Sequence, residues 1–466
     1  MNTSSNNQTS TAMNSVEKRA ALSLSAVFAV RMLGLFMILP IFAVAGQQLE
    51  GATPLLIGVA IGAYGLTQAI FQIPFGRLSD RFGRFPVIIT GLSLFAIGSV
   101  VAALADHIYW VIIGRLLQGA GAIASAVMAL AADLSRDEQR SKVMASIGMS
   151  IGAAFTLAMF LGPFITETVG LSGLFWTSAI LALVAIAIVL VFTPRPVHRY
   201  VQPDAVAMQG QFAQVLANPQ LWRLNFGIFA LHFLLTAFFV AFPLKLAEFG
   251  LSMSDNGWVY LIVMIIAVIV MVPMIIVAEK GWKHRQVMVL AMCSIAVFEM
   301  LIGSHQGALW LLVLLLGLFF AGFNVMEALF PSLISRIAPP SAKGTALGVY
   351  STSQFLGAAL GAPLAGWLAQ TYGISATYTA GAIIAVIWAL AGLGLKSPPR
   401  LTAYTFTVHH LNDHKAFAAL LDEIHAIEGV AEAVALPEAG AVYLKVDKQE
   451  FDEAALHKLK NKEQSI

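Results

Sequence analysis

Arg31, His232 and Glu327 each stand in a long apolar run, about 13 to 16 Å from one end of that run if it is helical. An ionisable group in such a place is expensive unless it is paired or used. A carboxyl group and an imidazole there can each take up and release a proton, and a neighbouring cation biases that exchange. Arg115, in another run, adds a second cation, and Asn324 stands one helical turn before Glu327. These five residues are the polar groups inside apolar runs that could do chemistry. Plainer roles compete: Arg31 as a fixed charge on backbone carbonyls, Arg115 as a brace near the outer surface, His232 as a satisfied packing residue. Glu299, close to the outer end of its run, reads as a side chain whose stem carries its charge to water.

The runs that hold these residues set the class of the molecule. Hydrophobic residues make up 58% of the 466 and charged residues 11%, with a mean hydropathy of +0.80. That excludes a soluble protein folded around one core. A helix crossing a bilayer needs about 20 mostly apolar residues. Runs of that length occur near 20–46, 54–76, 85–105, 109–132, 143–165, 171–193, 222–247, 256–278, 286–304, 308–335, 344–370 and 373–395. The last two share a charge-free stretch from Gly344 to Leu395, with "QTYG" at 370–373 as the turn. The expected fold is an all-α polytopic membrane protein with twelve transmembrane helices.

Lysine and arginine give the orientation. With the first residue inside, the inner segments hold Lys18, Arg19, Arg77, Arg81, Arg84, Arg136, Arg140, Lys142, Arg223, Lys280, Arg285, Arg336 and Lys343 among others, while the outer loops hold only Lys245. Both termini are therefore expected in the cytoplasm. The stretch 1–17 is polar at its start and lacks the basic and apolar segments of a signal peptide, so it reads as a disordered cytoplasmic tail. Its "NQT" at 7–9 matches a glycosylation sequon, on the wrong side of the membrane for use. Cys293 is the one cysteine, which excludes a disulfide framework.

The runs divide into halves, 18–193 and 222–399, joined by a linker at 194–221 that reads as carrying a surface helix. Pro74 and Pro273 are 199 positions apart, and the same offset carries Asp80 onto Glu279, Arg81 onto Lys280 and Arg84 onto Lys283. Pro163 and Pro363 differ by 200. Such agreement points to an internal duplication, which in membrane proteins commonly places a site between the repeats.

"GRLSDRFGR", residues 76–84, resembles motif A of the major facilitator superfamily, through Gly76, Asp80, Arg81, Gly83 and Arg84. "RLLQGAGAIA", from Arg115, is similar to that family's fourth-helix motif. Gly148, Gly152, Gly162 and Pro163 resemble the fifth-helix motif of its drug:proton antiporters. Two positions depart: Phe85 stands where a basic residue is usual, and Thr166 and Glu167 replace a glycine pair, which bears on antiport more than on transport. The resemblance implies the major facilitator fold and a motif A switch that closes the cytoplasmic side. In that switch Gly76 allows close approach between the halves, Asp80 faces the N-terminus of the eleventh helix near Gly344, and Arg84 pairs with Asp133. It further implies that helices 1, 4, 7 and 10 line a central cavity for a small-molecule substrate and protons, with Arg31, Arg115, His232, Asn324 and Glu327 as its candidate lining.

From Arg400 onward the pattern is soluble. Alternation at Tyr404, Phe406 and Val408, helical spacing at Phe417, Leu420, Leu421, Ile424 and Ile427, two further strands about "PEAG" and the helix "EFDEAALHKLK" give βαββα. This resembles a small α+β ferredoxin-like domain over 400–466, expected to dock on the cytoplasmic face or to self-associate. Residues 1–399 carry 20 basic and 14 acidic side chains, and 400–466 carry 7 and 11. His409, His410 and His414 read as a solvated cluster rather than a metal site.

No phosphate-cradling glycine loop occurs and no metal-ligand spacing falls within the spans, so neither a cofactor, a metal nor nucleotide hydrolysis is expected. Nothing suggests nucleic-acid binding or an enzyme. The reading is a proton-coupled secondary transporter of a bacterial-type inner membrane, exporting small amphipathic compounds. Two alternatives stand beside it: a sugar or metabolite importer on the same fold, and a sensor that signals through its C-terminal domain.

Overall fold

The computed structural model describes residues 12–195, 208–338, 342–396, 401–407, 420–424, 426–436, 441–447, 451–456 and 459. The sequon, most of the N-terminal tail, His409, His410 and His414, the "PEAG" turn and the closing "NKEQSI" lie outside the described residues. The chain forms two compact units, residues 1–396 and 397–466.

In the first unit α1, Ser15–Phe36, opens on a capping box between Asn14 and Glu17, with both hydrogen bonds 2.8 Å long. The chain leaves the helix over residues 37–41 and regains one turn in α2, Phe42–Ala45, so the continuous first span expected from the sequence is broken. Next come α3 (Pro54–Phe82) and α4 (Arg84–Ala103). The fourth span is also broken, into α5 (Ile108–Ala120) and α6 (Ala124–Asp133). A single helical stretch, α7 (Asp137–Val191), contains non-helical Gly170.

The chain reverses at Gly170, as its contacts with α1 show. Ser146 meets Ser25 and Gly162 meets Met37, so the first arm of α7 climbs with α1. Ser178 Oγ donates to Gly34 O at 2.9 Å, and Arg19 Nε donates to Phe192 O at 2.7 Å, so the second arm descends beside it. After α8 (Met208–Ala217), which supplies the helix expected in the linker, follow α9 (Pro219–Ala247), α10 (Met253–Lys280), α11 (His284–Ser304), α12 (Leu309–Ile337), α13 (Lys343–Tyr372) and α14 (Ile374–Gly392). Ten described segments are long and apolar enough to cross a membrane. One of them holds both arms of α7, and α13, long but richer in Gly, Ser, Thr and Gln, completes twelve crossings.

The backbone repeats the duplication seen in the sequence. Described residues of this unit with positive φ fall into pairs: Gly51 (+70°) with Gly250 (+67°), Gly83 (+102°) with Trp282 (+51°), and Gly170 (+72°) with Gly373 (+85°). The first two pairs are 199 positions apart and the third 203. Gly83, Gly170 and Gly373 also have ψ of 156°, −179° and 165°, a region essentially closed to residues with a Cβ. Their turns must therefore be glycine.

Most basic side chains gather at one end of the bundle, here the basic face. The halves meet toward the other end. Leu55 N donates to Gln370 Oε1 at 3.2 Å, Tyr260 OH to Pro40 O at 3.4 Å, and Trp258 packs against Phe160 with ring centres 5.0 Å apart. Along α3, Gly58, Gly62 and Gly65 lie against Ala362, Ala359 and Phe355 of α13; a Cβ on Gly65 would stand 2.8 Å from Phe355 O. The seam reaches mid-depth, where Phe155 and Phe320 have ring centres 6.2 Å apart. Nearer the basic face a Cβ added to Gly148, Gly152, Gly344 or Gly348 would meet nothing within 4 Å. The halves are closed at one face and parted at the other.

The second unit holds β1 (Leu401–Thr407), β2 (Val430–Leu436) and β3 (Ala441–Asp447), antiparallel in the order β1-β3-β2. That is the order of the first three strands of a ferredoxin-like sheet, with a split β-α-β crossover. Leu420, Ile424 and Ile427 cover its Val442, Leu444 and Val446.

If the α3–α13 seam is the barrier at its face, Gly62→Val will force it apart, because the added branches meet Ala359 O and the Pro363 ring. Overpacking of about 1 to 3 kcal/mol makes the seam-closed state roughly tenfold or more rarer. Thiol labelling of Gln370→Cys in a Cys293→Ser background will then speed up from that side, whereas unchanged labelling removes the seam as the barrier.

Candidate functional site

At the basic face the turn after α3 is fixed by one arginine. Arg84 Nε donates to Asp133 Oδ2 at 3.0 Å, and its Nη1 donates to Ser79 Oγ at 2.9 Å and pairs with Asp80. Gly83 supplies the positive φ that lets α4 begin there, and Arg81 lies over the Phe82 ring at 5.3 Å. With the halves parted, Gly76 faces Ser125 of its own half. Asp80 lies on Arg84, 48% exposed, and Gly344 has nothing against it, because the halves are parted at this face.

The second half carries the same cluster with one sign reversed. Glu279, the counterpart of Asp80, accepts from Arg336 Nη2 at 3.0 Å and lies 3.4 Å from His284 Nε2. Arg336 ends α12 as Asp133 ends α6. A further clasp, not anticipated from the sequence, ties Glu17 to Arg136: Nε to Oε1 is 2.8 Å and Nη2 to Oε2 is 3.0 Å, with Glu17 buried.

Arg31, expected near mid-depth, and Arg115, expected near the outer surface, are both enclosed in their own half in this structure and do not line an open cavity. Arg31, with no exposed surface, donates from Nη2 to Tyr64 OH (2.9 Å), Gln68 Oε1 (3.1 Å) and Gly121 O (2.9 Å). The last contact is to the break between α5 and α6. Arg115, 2% exposed, donates to Gln118 Oε1 at 2.7 Å and Ala60 O at 3.3 Å, and lies over the Tyr64 ring at 5.0 Å. Gln68 and Gln72, one turn apart on α3, and Gln118 on α5 are buried amides that extend the network. They were visible in the sequence as polar residues inside spans. Glu299 is corrected too: it is 1% exposed, packed where a Cβ on Gly381 would collide with it, and neither carboxylate oxygen has a hydrogen-bond partner.

His232, Glu327 and a third residue do come together. Gln354 Nε2 is 2.8 Å from His232 Nε2 and 3.3 Å from Glu327 Oε1, and His232 Nε2 is 3.9 Å from Glu327 Oε2. Helices α9, α13 and α12 each supply one of the three. The Glu327 side chain is 40% exposed although it lies nine residues inside Arg336, while its Oε2 is buried. Asn324 is half-buried one turn away, the Phe323 ring lies tilted beside His232 with ring centres 6.0 Å apart, and the buried Tyr350 hydroxyl has no partner. Gln354 was overlooked, though the polar run "STSQ" at 351–354 inside a span is a signal for it. Of the fifth-helix positions, Gly162 abuts Met37 O, Pro163 lies within continuous helix, and Gly148 and Gly152 face open space. Phe238 and Phe239 are wholly buried in an aromatic core with Phe242, Phe319 and Phe320 rather than lining a pocket.

The arrangement holds a carboxyl group at mid-depth between two halves that meet at one face. Comparison with known proteins agrees with that architecture. The family model described as Major Facilitator Superfamily matches residues 24–324 and 224–406. The inner membrane transport protein YajR of Escherichia coli (strain K12) is 46% identical over 431 residues, covering 92% of this chain and 94% of that protein. The multidrug resistance protein MdtH of Aeromonas salmonicida (strain A449) is 24% identical over 71% of this chain and 82% of its own length. The crystal structure of a D-xylose-proton symporter superposes with a TM-score of 0.67 at 18% identity, covering 81% of this chain and 98% of that one. Twelve crossings in two repeats, the family-model match and a close full-length relative lead to one conclusion: the chain belongs to the major facilitator superfamily and is a multi-pass inner-membrane transporter.

Proposed function

We propose that this transporter is proton-coupled and exports small amphipathic compounds by alternating access, with Glu327 as the proton carrier. The observation that carries the reading is a carboxyl group at mid-depth with a 40% exposed side chain, held within hydrogen-bond distance of Gln354 and near His232. The basic face is taken as cytoplasmic, because short loops rich in lysine and arginine stay inside. The 24% identical multidrug relative supports export.

In this cycle an amphipathic cation enters from the parted cytoplasmic side and the Glu327 proton leaves to the cytoplasm, so the carboxylate balances the incoming charge. The halves then close on that side and part along the α3–α13 seam. A proton from outside neutralises Glu327, the cation loses its counter-charge and departs, and the protonated carrier returns. Opposite charges meet at mid-depth in only one of the two loaded states, which is what couples the fluxes. Asp80, Arg84 and Asp133, with Gly76, Arg81 and Gly83, set the cytoplasmic end. When the halves close there, Asp80 comes to the N-terminus of α13, a contact worth about 0.3 to 1 kcal/mol when exposed and more when partly buried.

Ethidium, an amphipathic cation, tests the carrier in proteoliposomes with an acidic lumen and a lumenal pH dye. The wild type should accumulate ethidium uphill while protons leave the lumen. Glu327→Gln keeps the shape but cannot titrate, so it should only equilibrate ethidium while still exchanging it between compartments. Uphill uptake by Glu327→Gln with an unchanged pH profile moves the carrier elsewhere, with His232 next. Asp80→Asn should weaken cytoplasmic closure by a few-fold, lowering flux and raising cysteine labelling at Leu347→Cys from that side. Wild-type flux and labelling would leave Asp80 as a topology signal only.

A further inference from the structure

We infer that Gln354 is a positioning residue that links the protonation state of Glu327 to the seam between the halves. The inference rests on reading Glu327 as the proton carrier. One amide nitrogen serves two acceptors here, at 2.8 Å and 3.3 Å, and it has two hydrogens with which to do so. That arrangement needs the lone pair of His232 Nε2 and is strongest while Glu327 is ionised. A proton arriving at His232 Nε2 turns that acceptor into a donor, and one arriving at Glu327 weakens the carboxyl as an acceptor and adds a donor. The amide must then turn its carbonyl to that group or withdraw, so its geometry reports where the proton is.

The placement of Gln354 on α13 gives that change somewhere to go. The next residue, Phe355, presents its carbonyl to Gly65 of α3, the innermost of the three glycine contacts of the seam. On its other side α13 is clamped to α9: Gly357 and Gly361 lie against the carbonyls of Phe229 and Phe233, and Thr236 Oγ1 donates to Ala358 O at 3.1 Å. His232 belongs to that same stretch of α9. Two helices packed backbone to backbone cannot adjust by side-chain rearrangement, so a lost contact at 354 is borne by α13 as a body and felt at the seam. The other titratable group facing the amide's partners is Tyr350, one turn earlier on α13, whose hydroxyl is buried without a partner. α12 contributes Glu327 and α9 contributes His232, while the surrounding Phe320 and Phe323 are apolar. Arg31 and Arg115 are enclosed in the other half.

The test needs no substrate. Full-length protein in nanodiscs, in a Cys293→Ser background, carries spin labels at Phe82→Cys and Leu347→Cys, both exposed near the basic face. The distance between them is followed as pH is varied. The wild type should pass between two distance populations, and Glu327→Gln should remove the pH dependence. Gln354→Met preserves bulk but gives Glu327 no donor. An N–H donated to a carboxylate favours its ionised form, so losing it should move the transition to higher pH by about one unit, a tenfold change. Tyr350→Phe should leave the midpoint in place. Gln354→Asn, which keeps the amide but withdraws it by one methylene, should shift the midpoint in the same direction and serves if Gln354→Met does not assemble. A wild-type midpoint in Gln354→Met or Gln354→Asn overturns the inference while leaving the carrier standing. Wild-type switching in Glu327→Gln, or no pH-dependent switching in the unsubstituted protein, overturns the carrier itself and the inference with it.

Discussion

Helices in lipid are not driven together by the hydrophobic effect, since their neighbours in the bilayer are as apolar as they are. What this bundle uses instead is the approach of one backbone to another at glycine. Gly119 lies against Tyr64 O, Gly114 against Gly98 O, Gly121 against Gly91 O, Gly357 against Phe229 O and Gly366 against Pro54 O. At each a single added carbon would collide with a carbonyl. The polar interior depends on these contacts. Gly119 brings α5 to α3 and so lets Arg115 and Gln118 reach α3 and α4, while Gly357 and Gly361 bring α13 close enough to α9 for Gln354 to touch His232. A looser bundle would leave the same polar side chains unsatisfied in hydrocarbon.

The two halves have put the same scaffold to different uses. In the first, two arginines are surrounded by amides, a tyrosine and carbonyls, with no carboxylate among their hydrogen-bond partners; the network braces α1, α3 and the broken α5–α6 span, and leaves Arg31 Nε and Nη1 buried without a partner. In the second, the acid and the imidazole share a single amide. The Glu279–Arg336 and Arg84–Asp133 clusters show the duplication at the basic face, with acid and base exchanged at the end of the fourth crossing of each half.

Much of this was legible in the sequence, and for physical reasons. Twelve crossings follow from run length, and the duplication from an offset shared by Pro74, Asp80 and Arg84 with Pro273, Glu279 and Lys283. What pattern alone left open was direction within the bundle. Arg31 and Arg115 look like cavity residues because depth can be counted along a helix while facing cannot. Glu299 looked able to reach water because nothing in its own run reveals that Gly381, far along the chain, leaves a slot for it. Gln354 carries no charge and so drew no notice, yet it touches both titratable groups. The breaks at 37–41 and 121–123 were hidden for a related reason: apolar composition continues through them.

Gly170 and Gly373 each join two crossings through one residue. Joints this short have no slack, so each pair of crossings behaves as a stiff two-pronged fork instead of two rods on a tether. α13 has 30 residues and is about 45 Å long. Pivoted near its middle, where the seam ends, a tilt of about 10° sweeps its far tip by about 4 Å, and the fork carries α14 along. A displacement at mid-depth smaller than the length of a hydrogen bond is thus geared up into a doorway at the surface. The gearing ratio is set by where the glycines stop.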